Sequence, residues 1–501
     1  MNASTILPKD KFTRKFKDPG YYKSGSDHYY LLPFRFMRLN DEDEILVNEV
    51  GDFLIAPVGT AKKVASRSIN KLDEEELYND LLAGFFISET PVPALIEVIA
   101  TRYRTKKSFL DGFTALHIFV ISLRCEHTCH YCQVSRVSED KSAFDMSFEH
   151  IDKGIDLMMR SPNPNVTMEF QGGEALLAFE KIVYAVIRAK ELAARLSKSI
   201  NFVICTNLAP ITEEMLLFCR ENGVIISSSL DGPAYIHNKN RHRKGNNSYE
   251  MALKGIELSR EILGTDKVSA LLTTTNLSLQ YPVEIVDEYF NRGFNSIFLR
   301  PISPYGFATK NQKKNYYQTE DFLEFYKEAL DRIIQYNKEG HFFREDYAAI
   351  ILRKILSPFP VGYVDLQSPA GMINSVIVFN YNGKIYATDE ARMLAEMNDH
   401  TFELGHLDTH NYNDIFYGDK AQQFSEVWAN ESLPGCSDCA FQCYCGADPV
   451  FNYATQGSLI GHRPTSAFCK RNMSIIKHLF HLMKNDPETQ KIFRNWITGS
   501  H

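Results

Sequence analysis

The segment SLRCEHTCHYCQ, residues 122–133, decides the reading of the fold. It sets Cys125, Cys129 and Cys132 in a loop directly after the β-rich run 116–123, so three thiols gather where a strand ends. From that strand onward short β-rich runs alternate with helical patterns, the signature of βα units and a parallel sheet. The strand candidates are 116–123, 165–171, 201–207, 224–230, 267–275 and 295–302. Amphipathic helices lie between them: Phe148, Ile151, Ile155 and Met158 share one face, as do Phe179, Ile182, Val183, Val186 and Ile187. Gly223 stops the helix around 215–220, and Asn291-Arg292-Gly293 stops the one before the sixth run. Six units are too few to close an eight-stranded barrel. The expected fold is therefore α/β, an open, partial (β/α)6 barrel whose chemistry sits at the C-terminal ends of its strands.

The rest of the chain flanks this core. A length of 501 residues exceeds what one hydrophobic core organises, and the expected domains are 1–112, 113–310 and 311–501. Residues 1–112 combine a β-like stretch at 28–60 with a helix at 73–88 closed near Gly84, a small α+β module. Beyond the core, 311–318 (NQKKNYYQ) reads as an exposed linker, followed by a helix at 319–338. A hairpin at 375–390 turns on Asn382-Gly383, and an amphipathic helix near 475–483 ends the chain. Neither internal repeats nor low-complexity tracts stand out.

Composition narrows the function. The 44% hydrophobic and 23% charged content is that of a globular chain, not a disordered one. The surplus of 62 acids over 55 bases argues against binding to a nucleic-acid backbone as the main role. No apolar run reaches the roughly 18–20 residues of a membrane span, and residues 1–22 lack the apolar core of a secretory signal. A cytoplasmic chain is expected. In that reducing setting clustered cysteines serve as metal ligands or redox groups rather than disulfides. Cys205 and Cys219, each inside an apolar segment, read as small buried hydrophobes.

Three thiolates can hold three irons of a [4Fe-4S] cube and leave the fourth iron without a protein ligand. The alternative is zinc, with His127 or His130 completing a four-ligand site. The residues around the loop bear on the choice. Cys-x3-Cys-x-aromatic-Cys after a first strand, with Gly172-Gly173-Glu174 ending the second, resembles the radical S-adenosylmethionine (radical SAM) superfamily. The likeness continues through Thr206-Asn207, through Ser229-Leu230-Asp231-Gly232-Pro233 with His237 and Arg241, and through Leu299-Arg300-Pro301, each at the end of a successive strand. The segment beginning at Ser229 is similar to that of peptide- and protein-modifying members.

The resemblance implies S-adenosylmethionine bound at the open iron by its amino and carboxyl groups, and its reductive cleavage to a 5′-deoxyadenosyl radical. It implies that Gly172 and Gly173 admit a close backbone approach and that Glu174 accepts from the cofactor ammonium. Ser229 would hydrogen-bond the cofactor, Arg241 would pair with its carboxylate, and Tyr131 would pack beside the adenine. Asn207, Asp231 and Arg300 complete the expected cofactor-binding set.

A second cluster, Cys436-x2-Cys439-x5-Cys445 with Cys469 further on, resembles the C-terminal SPASM domain of peptide maturases such as the anaerobic sulfatase-maturing enzymes. Four ligands would close an auxiliary [4Fe-4S] site; a zinc knuckle is the alternative, and Cys443 is a possible substitute for Cys445. The full domain carries one more cluster, whose ligand positions here are Pro449 and, at the hairpin, Thr388. No cysteine occurs between 220 and 435 to supply the rest. Two clusters in total are therefore expected. In the sulfatase-maturing relatives an acid after the hairpin cysteine is a proposed base, and the matching residues are Asp389 and its neighbour Glu390.

Leu31-Leu32-Pro33-Phe34-Arg35-Phe36 and the CGADPVFNYATQG segment at 445–457 resemble the His-Xaa-Ser system radical SAM maturases. That likeness implies modification of a ribosomally made precursor peptide. It also implies a flavodoxin or ferredoxin donor, a second maturase as a candidate partner, and a leader-binding role for residues 1–112 by strand addition. The rival reading is a non-catalytic iron–sulfur or zinc protein that partners such a system.

Overall fold

The computed structural model describes residues 29–90, 93–132, 141–310 and 315–499, so the expected signal-free start and the first four residues of the 311–318 linker lie outside the described residues. The chain divides into two compact units after Arg102. In the first, β2 (Phe34–Arg38), β3 (Asp43–Asn48) and β4 (Phe53–Pro57) form an antiparallel sheet, and β1 (Tyr30–Leu31) pairs with β5 (Ile87–Ser88). Helices α1 (Thr60–Ala65) and α2 (Glu75–Ala83) bury Val64, Tyr78 and Leu81 against Leu46 and Phe86, the core of this unit. Gly84 caps α2, its backbone N–H donating to the Asp80 carbonyl at 2.9 Å and that of Phe85 to Leu82 at 3.1 Å.

The second unit is built on one eight-stranded sheet. Five parallel strands, β6 (Leu116–Ser122), β7 (Asn165–Gly172), β8 (Ser199–Cys205), β9 (Val224–Ser229) and β10 (Val268–Leu271), follow one another in sequence order. Helices α3 (Phe148–Met159), α4 (Phe179–Arg195), α5 (Glu213–Asn222), α6 (Ala234–Asn240) and α7 (Ser248–Leu263) make the crossovers, and α8 (Pro282–Asn291) follows β10. Period-two burial sorts each strand's faces. Val166, Met168 and Phe170 of β7 are buried against the helices, while Glu169 and Gln171 look into the barrel lumen. Gly223 closes α5 in the left-handed conformation that favours glycine, with φ of 70°. Two of the expected core positions, Phe148 (46% exposed) and Ile187, instead lie at the edge of their helix faces; Phe148 packs edge-on against Tyr184 beneath the Lys181 ammonium.

The sixth strand departs from expectation. Only Ser296–Ile297 (β11) is regular, and it pairs with Arg344–Glu345 (β12), not with the main sheet. Contact with the fifth strand survives as one bridge between Thr274 and Pro301, with Thr274 N–H donating to the Arg300 carbonyl at 2.9 Å. The buried Glu345 carboxylate explains the irregularity: it takes the Leu299 N–H at 3.0 Å and the Tyr326 hydroxyl at 2.7 Å, satisfying a backbone donor that a ladder would otherwise use. Helices α9 (Thr319–Lys338) and α10 (Asp346–Leu356) follow. The hairpin, expected as part of a separate domain, joins the core: β13 (Val376–Phe379) lies parallel to β6, and β14 (Lys384–Tyr386) and β15 (Glu403–His406) extend the same sheet. Its apolar run is buried on both faces, and Phe379 packs on Phe119.

Helix α11 (Asp389–Ala395) follows β14; α12 (Pro449–Gln456), α13 (Ala467–Asn485) and α14 (Pro487–Thr498) complete the unit. The last was absent from the sequence reading. Asp486 caps it by accepting from Glu488 and Thr489 N–H groups, and Trp496 is fully buried with its indole N–H donating to Asn337. No helix among the described residues is long and apolar enough to cross a membrane. Trp496→Ala removes the largest buried side chain of this helix, and chemical denaturation of the full chain should report a loss of about 3–5 kcal/mol.

Candidate functional site

The three-cysteine loop is held from two sides. On one, the end of β7 lies directly on the backbone of residues 122–124. Gly173 N–H donates to the Ser122 carbonyl (2.8 Å) and Glu174 N–H to the Arg124 carbonyl (2.7 Å). A Cβ on Gly172 would overlap the Ser122 carbonyl oxygen, and one on Gly173 the carbonyls of Leu123 and Arg124. The two glycines thus serve strand-to-loop contact directly. Glu174 is buried and bridges onward, accepting from Leu176 N–H, Thr206 hydroxyl (2.6 Å) and Asn207 N–H (2.8 Å). Burial, and next the charge of Glu126, raise its carboxyl to about 7. A carboxylate has about four lone-pair sites, so one remains for an outside donor.

On the other side, the segment after β9 grips the loop. Thr128 N–H donates to the His242 carbonyl, and His127 pairs with Ser248, which also meets His237, whose Nδ1 accepts from Asp231 N–H. Asp231 is fully buried: Oδ2 accepts from the Tyr131 hydroxyl at 2.6 Å, and Oδ1 lies 3.2 Å from Arg241 Nε. That last approach is an ion pair without hydrogen-bond alignment, which leaves the buried Arg241 Nε unsatisfied beside the Tyr131 ring. Ser229 is half-buried at the end of β9.

These contacts bear on the fourth-ligand question. His127 directs Nε2 to Ser248 and Nδ1 to Glu126 and Asn207, although Cys125, Glu126 and His127 stand close enough to share an ion. His130 meets Asn315 through Nδ1 and Asn240 through Nε2. Both rings are fully engaged, so the donor set left is three thiols. Burial raises Cys125 well above its ordinary range and Cys129 to about 12. Buried thiols of that kind are stable as neutral groups or as thiolates on a metal, which fits an iron–sulfur cluster with one open corner.

The second set converges. Cys436, Cys439, Cys445 and Cys469 line one small cavity of about 40 Å³, and Cys443 is outside it. Asn472 donates to Cys445 Sγ, and burial raises Cys439 to about 12 and Cys469 to about 11. Lys354, whose burial lowers its ammonium to about 8, donates to the Cys445 carbonyl at 2.8 Å and to that of Leu366. Four thiols fit the auxiliary cluster, and this lysine adds positive charge beside it. Nothing in the sequence around Lys354 marked it.

A third feature was only partly legible. The barrel lumen holds a cavity of about 550 Å³ whose wall includes Glu169, Arg300, Asp365, Asp389, Glu390 and Asp448, and none of the cysteines. Asp389 is ion-paired with the buried Arg392 at 3.1 Å. Burial, and next the charges of Asp365, Asp389 and Asp448, push Glu390 up to about 8. Arg300, expected among the cofactor contacts, stands with these acids. Thr388 caps α11 by accepting from Ala391 N–H, and Pro449 begins α12, so the residues in place of the missing cluster's ligands do ordinary helix-end work.

Residues 119–289 match the family model of the radical SAM superfamily. The chain belongs to the radical SAM superfamily. It is 32% identical over 192 residues to an uncharacterized protein of Methanothermobacter thermautotrophicus, a match covering 38% of this chain and 69% of the relative. It is 27% identical over 185 residues to the serine-type anaerobic sulfatase-maturating enzyme of Bacteroides thetaiotaomicron, covering 36% of this chain and 44% of that one. A cysteine-type enzyme of Clostridium novyi is 22% identical over 330 residues, 65% of this chain and 83% of its own.

Among solved structures, anSMEcpe with bound AdoMet and Cp18Cys peptide superposes with a TM-score of 0.60 at 18% identity, covering 76% of this chain and 99% of that one. Streptococcus suis SuiB bound to precursor peptide SuiA gives 0.51 at 13%, covering 88% and 99%. These likenesses establish the fold. This radical SAM protein is an enzyme, and its cofactors are S-adenosylmethionine and [4Fe-4S] clusters. If Cys445 and not Cys443 is the auxiliary ligand, Cys445→Ala should lower iron after anaerobic reconstitution from about eight to about four per chain, while Cys443→Ala keeps about eight.

Proposed function

We propose that this radical SAM enzyme modifies a ribosomally made precursor peptide by hydrogen abstraction. The observation that carries the reading is the three-thiol loop whose two neighbouring histidines are already engaged, in a unit whose lumen holds a cavity of about 550 Å³, large enough for a peptide side chain and its neighbours. Cys125, Cys129 and Cys132 would hold the first cluster, and Cys436, Cys439, Cys445 and Cys469 the auxiliary one. When bound, the cluster and S-adenosylmethionine together supply a 5′-deoxyadenosyl radical.

The chain's own residues orient and neutralise. The free lone pair of Glu174 would take a cofactor ammonium proton, and the unsatisfied Arg241 Nε is placed for a carboxylate. Tyr131, fixed by Asp231, offers a ring face beside it, while Gly172, Gly173, Asn207 and Ser229 shape the strand ends around the site. Of the two hairpin acids, Asp389 is the candidate proton acceptor: it is ion-paired with Arg392 at 3.1 Å, whereas burial and the neighbouring acids push Glu390 up to about 8.

Two structural neighbours, anSMEcpe with bound Cp18Cys peptide and SuiB bound to precursor peptide SuiA, support a peptide substrate. The likeness to His-Xaa-Ser maturases makes a peptide bearing such repeats the first candidate, with a flavodoxin or ferredoxin as electron donor and a second maturase as candidate partner. In the N-terminal unit β2 is an edge strand among the described residues and carries Phe36, 59% exposed, which suits addition of a leader as a further strand.

Changing Cys125, Cys129 and Cys132 together to Ala should abolish 5′-deoxyadenosine formation under reducing conditions; persisting product refutes the assignment. Asp389→Asn should leave 5′-deoxyadenosine formation intact and cut modified peptide by about 100-fold, as loss of a positioned base does. Mass spectrometry of candidate precursors with and without the enzyme reads both peptide outcomes.

A further inference from the structure

The main lumen cavity has a side branch of about 60 Å³. Six residues form the wall the two spaces share, among them Arg300, Asp365, Glu390 and Asp448. Phe298 belongs to this shared ring, and the rest of the branch's wall includes Phe451 and Tyr305. Tyr305 is 1% exposed, and its hydroxyl has no hydrogen-bond partner. A buried hydroxyl left in that state is costly, so it is placed to meet something that enters.

The charges facing the branch do not balance. Three carboxylates, Asp365, Glu390 and Asp448, face two guanidiniums, Arg300 and Arg471. Part of the carboxylates' capacity is used internally: Asp365 accepts from the Tyr363 hydroxyl at 2.7 Å and Asp448 from Phe451 N–H at 2.8 Å. One uncompensated negative charge remains in a space of low dielectric, where burying it is costly. The chain alone can relieve it with a proton, and burial and the neighbouring acids accordingly raise Glu390 to about 8 and Asp448 to about 7. A single guest cation would relieve it without one. Among the described residues these carboxylate oxygens do not gather as tightly as the ligands of a metal ion, and the aromatic walls suit an organic cation on an apolar stem.

We propose that this branch is a subsite for the cationic head of a basic side chain in the peptide substrate, the ammonium of a lysine or the guanidinium of an arginine, with Tyr305 and the Asp365–Glu390–Asp448 ring as its ligands. The inference rests on the peptide-modifying reading above and deepens it. The small volume favours the lysine head. Entry of the cation releases the proton from Glu390, so recognition exchanges a proton for a side-chain charge and leaves the site neutral.

The test uses the anaerobically reconstituted full chain and three probes, the N-acetyl methylamides of lysine, arginine and norleucine, titrated by calorimetry up to about 10 mM, a range suited to weak fragment binding. The lysine amide should bind at least about 10-fold more tightly than the norleucine amide, which has the same stem without the charge. Glu390→Gln should bring that ratio close to 1. Tyr305→Phe, which keeps the wall in place, should lower it by about 2–5-fold and serves if the first variant does not fold. A preference for the arginine amide over lysine would keep the subsite and reassign the head.

Equal binding of lysine and norleucine amides, absence of heat from both basic amides, or a ratio that neither substitution moves overturns the proposal. Measuring 5′-deoxyadenosine on the same preparation separates the two readings. Radical formation without basic preference removes the subsite and keeps the enzyme. Basic preference without 5′-deoxyadenosine does the reverse.

Discussion

The structure hinges on one close contact between backbones, where the end of β7 meets the first residues of the cysteine loop. Two successive glycines remove the side chains that would keep Gly172 and Gly173 away from Ser122, Leu123 and Arg124, and two backbone hydrogen bonds then fix the approach. Glu174 converts that contact into a three-strand anchor, because one buried carboxylate takes donors from the ends of both β7 and β8. From the opposite side the Ser248 hydroxyl joins His127 of the loop to His237 of the segment after β9. A loop of twelve residues carrying three thiols has little apolar content of its own to order it. These flanking polar contacts supply the order, and they occupy the two imidazoles that would otherwise compete for metal.

Electrostatics divides the interior into two regions. Near the loop two buried cations have fixed counterparts, Arg124 with Asp145 and Arg241 with Asp231. A buried pair of this kind favours a single geometry over net stability, since desolvation offsets much of the attraction. In the lumen the acids outnumber the bases that face them, and the imbalance is carried as raised carboxyl pKa values rather than as pairs. The first arrangement suits holding a cofactor in place. The second suits an interior that receives a charged guest.

At the end of the hairpin Thr388 caps α11, and Pro449 opens α12. Both are helix-start residues by chemistry, an oxygen acceptor and a residue without an N–H. The region is polar: Asp389 and Glu390 lie in the first turn of α11, and Asp448 caps α12.

By itself the sequence determined the chemistry-bearing spacings and the alternation of strand and helix, because both are local. Thiol separation along a loop, period-two burial along β7 and the glycine stop of α5 each depend on neighbours within a few residues. It also singled out Asp389 and Glu390, through a motif. Tertiary structure alone decided what depends on residues far apart in the chain. Glu345 takes the Leu299 N–H from 46 positions away and so breaks the sixth strand, and β13 crosses from the C-terminal third to lie beside β6. The acidic branch gathers Arg300, Tyr305, Asp365, Glu390, Asp448 and Arg471 from five separate segments. No periodicity encodes such a gathering, since charge balance in a cavity is a property of the space the chain encloses.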